Sequence, residues 1–125
     1  MNVVDSSAWL EYFADGPNAE FFAPAIQDLK NLAVPSICVL EVFRRTMQQR
    51  GLDAALQAAA AMQQGDIVEL DFGLAIDAGR LGVEVGLPLA DSVVLATGRA
   101  LGAPVWTQDS DFEDLPGVKY RAKKK

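Results

Sequence analysis

The feature that most constrains this chain is a very short apolar run that ends in a carboxylate, Val3-Val4-Asp5. A strand of this length is too short to stand alone, so we expect it to lie inside a sheet. Asp5 then stands at the carboxyl end of that strand, and Ser6 or Ser7 can cap the helix that follows. Because ligands bind at this edge of open α/β sheets, the sequence predicts a functional site around Asp5.

Short apolar segments alternate with amphipathic segments along the rest of the chain. The apolar segments predict strands at residues 32–34, 66–70 and 104–107, and an edge strand at 118–120. We interpret residues 1–125 as one α/β domain, a three-layer α/β/α sandwich with a central, mainly parallel sheet of four to five short strands. The predicted helices occupy residues 6–14, 18–27 or 18–30, 36–50, 53–64, 72–85 and 90–101.

The second predicted helix contains two residues with strong local preferences. Asn18 can cap its first turn through the side-chain oxygen. Pro24 lies inside the segment and favours a kink or a split there. The end of this helix is expected at Gln27 or at Lys30.

The composition excludes several kinds of catalytic site. The chain contains no histidine and one cysteine, which rules out Ser-His and Cys-His catalysis, histidine-ligated zinc and thiolate metal sites. Cys38 lies in the apolar context Ser-Ile-Cys-Val-Leu, so we expect a buried thiol. Any chemistry must therefore use carboxylates, hydroxyls, lysine and arginine.

Two further absences suggest where the protein acts. No stretch approaches the roughly 18 apolar residues that a membrane span needs. The N-terminus shows no basic region followed by an apolar run, as a signal peptide would. We therefore expect no membrane partner, and a cytoplasmic location as the default.

The net charge of −6 conceals a strong asymmetry along the chain. Residues 1–118 carry six of the 11 basic residues and all 17 acidic ones, which leaves this part with a net charge of −11. A basic tail at 119–125 indicates a polyanionic partner, with a frayed, solubilising terminus as an equal alternative. The basic residues of the tail are Lys119, Arg121, Lys123, Lys124 and Lys125.

Several carboxylates occur where a solvated surface explains them poorly. Asp5 and Asp109 follow buried strands, and Asp111 comes two residues after Asp109. Glu41 interrupts an apolar run, where an unpaired charge is costly to bury, and Asp91 opens a helix. Because these strands and helices can meet at one sheet edge, we expect the acids to converge there.

Each acid also has an ordinary structural explanation. Asp91 can be a first-turn acid that the helix dipole favours. Glu41 can pair with Arg44 or Arg45 one turn later. The two late acids can be ordinary turn residues. These explanations weaken when the acids are taken together, since all of them can face the same edge.

A group of converging carboxylates without lysine or histidine would repel strongly. Their pKa values would be raised unless a cation neutralised them. An all-oxygen set of ligands favours hard divalent ions, Mg²⁺ or Mn²⁺ before zinc. Such ions activate a bound water and clamp phosphate groups, so the predicted chemistry is phosphodiester hydrolysis by in-line attack.

Four motifs in order make the chain similar to a known family. They are Val3–Leu10, Glu41 in the helix after the second strand, Leu89-Ala90-Asp91-Ser92, and Trp106–Phe112. With these motifs the sequence resembles the PIN-domain family, and most closely the VapC toxins of prokaryotic toxin–antitoxin pairs. The order and spacing fit over essentially the whole chain, so the resemblance implies a PIN-like fold.

The resemblance implies a metal-dependent endoribonuclease that acts as the toxin of such a pair. Four acids would hold Mg²⁺ or Mn²⁺, namely Asp5, Glu41, Asp91 and Asp109. Asp111 would be an auxiliary acid, and either Asp109 or Asp111 fills the fourth position. Ser6 or Thr107 would position a water, a carboxylate or a phosphate.

Partners follow from the same resemblance. Family members usually form homodimers, cleave RNA and are silenced by a cognate antitoxin. The antitoxin typically lays a helix in a hydrophobic groove and places a basic side chain near the acids. Four aromatic residues are candidates for that groove, with core packing as the alternative: Trp9, Phe13, Phe21 and Phe22.

An acidic body should repel RNA unless metals and a basic patch offset its charge. Arg44, Arg45, Arg99 and the tail are the candidates for that patch. Two other functions compete with catalysis. One is a PIN-fold module that binds RNA or protein without cleaving. The other is a Mg²⁺-binding phospho-receiver, but Asp5 has no acidic neighbour and the late lysines lie in the tail.

Overall fold

A computed structural model describes residues 1–124, and Lys125 of the predicted tail lies outside the described residues. Two short 3₁₀ turns, Leu29–Asn31 and Ser110–Phe112, accompany the regular elements. The strands are β1 (Asn2–Val4), β2 (Leu32–Pro35), β3 (Asp66–Val68), β4 (Val105–Thr107) and β5 (Val118–Tyr120). The helices are α1 (Ser6–Phe13), α2 (Ala19–Gln27), α3 (Ser36–Arg50), α4 (Leu52–Met62), α5 (Phe72–Val85) and α6 (Leu89–Leu101).

The five strands form a single parallel sheet in the order β3-β2-β1-β4-β5. Strand β1 is central, and Val3 pairs in register with Ala33 on one side and Val105 on the other. All three residues are at most 1% exposed, because helices cover the sheet. The predicted α/β/α fold with a central parallel sheet is confirmed, and the all-apolar strands follow from burial on both faces.

The strand direction determines where the functional side chains meet. Because all five strands are parallel, their carboxyl ends share one edge of the sheet. Helix α3 begins directly after β2, at this edge. Helix α6 leads back to the start of β4, so its first turn lies near the same edge. Residues that follow β1 and β4, or that begin α3 and α6, are thereby brought together.

Local capping preferences are overridden in two places. Neither Ser6, Ser7 nor Asn18 makes a side-chain capping hydrogen bond, so these predictions are wrong. All three side chains contact distant segments instead, Ser6 at Glu41, Ser7 at Thr107 and Asn18 at Ala122. Pro24 lies inside α2 without splitting it. Pro24 is exposed, and α2 continues to Gln27 although the proline nitrogen cannot donate a helical hydrogen bond.

The core confirms the prediction for the single cysteine. Cys38 is fully buried in α3 and packs with the residues of the central strands. Burial raises the pKa of its thiol well above the usual value, and the charges of Asp5 and Glu41 raise it further. A thiol held neutral in this way is a poor nucleophile, so Cys38 serves packing.

No single helix within residues 1–124 is long and apolar enough to cross a membrane. Helices α5 and α6 reach the required length and apolar character only as a pair, and the chain bends by 111° between them.

Candidate metal and RNA site

An open cleft of about 520 Å³ lies at the carboxyl edge of the sheet. Asp5, Glu41, Asp91 and Asp109 all line it, although they come from four separate segments of the chain. Asp111 lies beside them, with one carboxylate oxygen close to those of Asp91 and Asp109. We call these five residues the acid cluster and the space that they border the acid cleft.

Asp5 is the most buried member of the acid cluster, with 2% of its surface exposed. Its carboxylate accepts hydrogen bonds from Ser7 Oγ at 2.8 Å and Thr107 Oγ1 at 2.9 Å. Burial raises the pKa of Asp5 and the charge of Asp109 adds to this, while the two hydroxyls act in the opposite direction. These hydroxyl contacts hold the carboxylate in one orientation at the end of β1.

Glu41 is connected to Asp5 through one hydroxyl group. Ser6 Oγ donates to Glu41 Oε1 at 2.7 Å and lies 3.4 Å from Asp5 Oδ1. Partial burial raises the pKa of Glu41, as do the charges of Asp5 and Asp109. Within residues 1–124 neither Arg44 nor Arg45 forms an ion pair with Glu41, so the alternative of a helical salt bridge is wrong.

Asp91, Asp109 and Asp111 approach one another most closely. One carboxylate oxygen from each lies within 4.8 Å of the other two. The backbone N–H of Asp109 donates to Thr107 Oγ1 at 2.9 Å, which fixes the backbone position of Asp109. Its Oδ1 accepts from the backbone N–H of Asp111 at 2.9 Å, which ties the two acids together.

All the other acids of the cluster affect the pKa of Asp91. The pKa of Asp91 is raised from 3.8 to about 7; burial is the largest cause, and the charges of the other four acids are the remaining causes. Within residues 1–124 the sole ion pair is Arg80–Glu84, on the surface of α5, so no basic side chain forms an ion pair with the cluster. Repulsion of this kind is relieved by a cation that binds several carboxylates at once.

The donor set of the cluster fits a hard divalent cation. All candidate ligand atoms are carboxylate oxygens, three of which are already close enough to share one ion. Mg²⁺ and Mn²⁺ prefer such oxygens, whereas zinc prefers nitrogen and sulfur. The raised pKa values indicate that the fold holds these acids together at an electrostatic cost that a bound cation would remove.

Two polar residues at the site were not assigned to it from the sequence. Ser7, expected mainly as a helix cap, donates to Asp5 and lies 3.2 Å from Thr107 Oγ1. Gln108 is 7% exposed, and its side chain donates to the backbone oxygen of Ser7. The repeated hydroxyl directly after a strand-end acid is the one sequence signal that pointed to Ser7.

Among residues 1–124, two of the basic residues considered as an RNA patch line the acid cleft. Arg45 reaches it from α3, one turn after Glu41, and Lys123 reaches it from the C-terminal segment. Arg99 borders a separate surface pocket between α5 and α6. Two positive charges therefore lie near the acids, and they come from distant parts of the sequence.

The aromatic residues divide between core and surface. Trp9 and Phe22 are 1% and 0% exposed, so their assignment to a groove is wrong and core packing accounts for them. Phe13 lines a groove of about 330 Å³ between α1, α3 and α4. Leu10 and Gln49 border both this groove and the acid cleft, so the two surfaces are continuous.

Comparisons with known proteins agree with this fold. A search of curated proteins finds no match by sequence. Among solved structures, a toxin–antitoxin complex from Klebsiella pneumoniae has a TM-score of 0.76 at 21% identity, over 95% of this chain and 96% of the other. The sarcin–ricin loop cleaving toxin VapC20 from Mycobacterium tuberculosis has a TM-score of 0.76 at 20% identity, over 94% and 97%. The protein PAE2754 from Pyrobaculum aerophilum has a TM-score of 0.74 at 21% identity, over 95% and 87%.

At these identities the structural likeness concerns the fold alone. A model of the PIN domain, however, matches residues 3–118, which include all five members of the acid cluster. The family match and the architecture therefore agree over nearly the whole chain. On these grounds the chain belongs to the PIN-domain family.

Proposed function

We propose that this chain is a Mg²⁺- or Mn²⁺-dependent endoribonuclease that acts as the toxin of a toxin–antitoxin pair. One observation carries the proposal, namely that four carboxylates line one open cleft with a fifth beside them, and none of the five forms an ion pair with a basic side chain among residues 1–124. The family match supports a nuclease, since phosphodiester cleavage is the chemistry that a metal-binding carboxylate site serves.

Asp5, Glu41, Asp91 and Asp109 are the residues that we propose hold the ion, with Asp111 as an auxiliary or alternative ligand. Hydrolysis of a phosphodiester needs charge neutralisation and an activated water, and a bound Mg²⁺ or Mn²⁺ supplies both. The hydroxyls of Ser6, Ser7 and Thr107 keep the carboxylates oriented by hydrogen bonds. Ligands held in this way need little rearrangement on binding, which favours affinity and geometric precision.

Cleavage of single-stranded RNA by the purified protein tests the activity. We expect cleavage with Mg²⁺ or Mn²⁺, none in EDTA, and recovery when the metal is restored. Asp5→Asn and Asp91→Asn should abolish cleavage with the fold intact by circular dichroism. Asp77→Asn removes the same charge from an exposed position on α5 and should leave cleavage unchanged.

Two results would contradict the proposed activity. Full cleavage in EDTA, or by both cluster variants, would exclude a mechanism that depends on the carboxylates and a metal. A protein that binds RNA equally well with and without metal, and never cleaves it, would instead be a non-catalytic PIN-fold binding module.

We propose that the groove of α1, α3 and α4 receives the cognate antitoxin. Similar structures include a toxin–antitoxin complex and DNA-bound VapBC from Salmonella typhimurium. The groove is continuous with the acid cleft through Leu10 and Gln49. A helix lying in it could therefore carry a basic side chain to the acids. Growth arrest on expression, relieved by co-expression of a neighbouring small reading frame, tests this biological role.

The homodimer that the resemblance implies also has a candidate surface. Apolar side chains with 58–87% exposure lie on α5 and at the start of α6. Such a patch is typical of a protein interface. The residues of this apolar face are Phe72, Ile76, Val83 and Leu89. Light scattering coupled to size exclusion measures whether two copies associate.

A further inference from the structure

The C-terminal segment is fixed to the body of the protein beyond its last strand. The backbone N–H of Arg121 donates to the carbonyl of Thr107 at 3.0 Å, which continues the pairing of β5 with β4. One residue later, Asn18 Nδ2 donates to the carbonyl of Ala122 at 2.9 Å. Asn18 is 1% exposed and also donates to Gln108 Oε1, so this contact comes from a rigid, buried position.

Two basic residues of the segment rest on aromatic rings. Lys119 Nζ lies 4.5 Å from the ring centroid of Trp106, and Arg121 Cζ lies 4.3 Å from that of Phe21. Phe21 and Trp106 contact each other, with centroids 5.3 Å apart. These cation–π contacts add to the backbone hydrogen bonds and hold the segment along one path.

Along this path, Lys123 lies at the acid cleft. Lys123 directly follows the anchored Ala122 and lines the cleft together with the acids. Within residues 1–124 no lysine nitrogen lies within 4.0 Å of a carboxylate oxygen, so Lys123 is in the cleft without an ion pair. Its ammonium group is therefore available to a ligand that enters between it and the acids.

We propose that Lys123 binds a phosphate of the RNA backbone next to the bond that is cleaved, an inference that rests on the proposed function. A substrate must approach a body whose residues 1–118 carry a net charge of −11. A fixed ammonium group at the cleft offsets part of that repulsion and binds phosphate as a point charge. Because it contacts the backbone and no base edge, Lys123 contributes affinity and position without sequence preference.

The three basic residues thus have separate roles within one short segment. Lys119 and Arg121 hold the segment on the aromatic rings, and Lys123 presents its charge to the substrate. Asn18 is a positioning residue, since it acts on the substrate only through the carbonyl of Ala122. Residues 119–123 are therefore a fixed part of the active site.

Steady-state cleavage of a fluorescein-labelled single-stranded RNA by the full-length protein tests the proposal. Lys123→Gln should raise KM about fivefold and leave kcat nearly unchanged, because it removes one phosphate contact. Lys123→Arg keeps the charge and should restore KM. Lys30→Gln is the matched control, because Lys30 precedes β2 and lies at the opposite edge of the sheet.

Salt dependence gives a second, independent readout. Fluorescence anisotropy in the inactive Asp91→Asn background measures RNA affinity between about 50 and 200 mM salt. Adding Lys123→Gln should reduce the slope of log K against log salt by about 0.7, the value for one phosphate contact on a single strand. Lys30→Gln should leave the slope unchanged.

Three outcomes separate the two proposals. If the wild-type protein cleaves RNA but Lys123→Gln and Lys30→Gln behave alike, the role of Lys123 is refuted and the nuclease stands. If Lys123→Gln cleaves faster at low Mg²⁺, Lys123 competes with the metal, which also refutes phosphate binding. If the wild-type protein neither cleaves nor binds RNA, both proposals fail.

Discussion

Neutralising Asp91 should stabilise the metal-free protein, and the gain should depend on pH. Asp91 has a pKa of about 7 in the folded protein against 3.8 as its ordinary value. The folded state therefore holds the proton more tightly, so this group lowers stability as pH rises from about 4 to 7. Wild-type stability should fall across this window, whereas Asp91→Asn removes the contribution of this group.

The size of the effect follows from the pKa and from exposure. A pKa raised from 3.8 to about 7 corresponds to at most about 4 kcal/mol, at about 1.4 kcal/mol per pKa unit. Asp91 is half-buried, so solvent screening reduces this value, and we expect about 1–2 kcal/mol above pH 7. For a domain of this size the corresponding gain in Tm is about 4–8 °C.

Differential scanning fluorimetry in EDTA, at pH values on both sides of the window, measures this gain. Asp91→Asn should melt higher than the wild type at pH 8, and the two should converge near pH 4.5. Saturating Mg²⁺ should reverse the order at pH 8, because the wild type gains a bound ion. Asp77→Asn serves as the exposed control. An Asp91→Asn protein that melts at or below the wild type in EDTA at pH 8 would refute electrostatic repulsion in the cluster.

Three further substitutions test the surroundings of the site. Thr107→Val should cost about 1–3 kcal/mol in urea unfolding, because it removes one of the two hydroxyl donors to the buried carboxylate of Asp5 and the acceptor of the Asp109 N–H; an unchanged midpoint would contradict this. Ala54→Arg places a long cation in the groove and should block co-purification of the antitoxin, whereas Ala60→Arg on the exposed side of α4 should not. Val83→Asp should convert a dimer to a monomer in light scattering, and dimers that persist would place the interface elsewhere.

The fold and the place of the acids could be predicted from short stretches of sequence. The runs Val3-Val4 and Leu32-Ala33-Val34 are apolar at every position, which indicates strands buried on both faces. The acids after β1 and β4 follow the strands directly, so parallel pairing alone brings Asp5 and Asp109 to one edge. Their roles as metal ligands remain predictions until the cleavage and melting experiments are done.

Predictions from capping preferences failed where a distant partner competed. Asn18 is a favourable cap by its residue type, but its Nδ2 donates to Gln108 and Ala122, which lie 90 and 104 positions away. Its Oδ1, the atom that a cap would use, is buried without a hydrogen-bond partner among residues 1–124. Ser6 likewise binds Glu41, 35 positions along the chain. These long-range hydrogen bonds fix the orientations of the Asn18 and Ser6 side chains, and no local pattern in the sequence indicates them.

The sequence by itself determined the strands, the helices and the edge at which the acids gather, because burial follows local apolar patterns. It also limited the kind of metal site that the chain can form, because the chain offers carboxylates and no histidine. Only the tertiary structure decided which hydroxyl orients which acid, and that Lys123 rather than Arg99 faces the cleft. Those contacts depend on the order of the strands and on the path of the C-terminal segment. Both bring together residues that are far apart in the sequence, so no local pattern can indicate them.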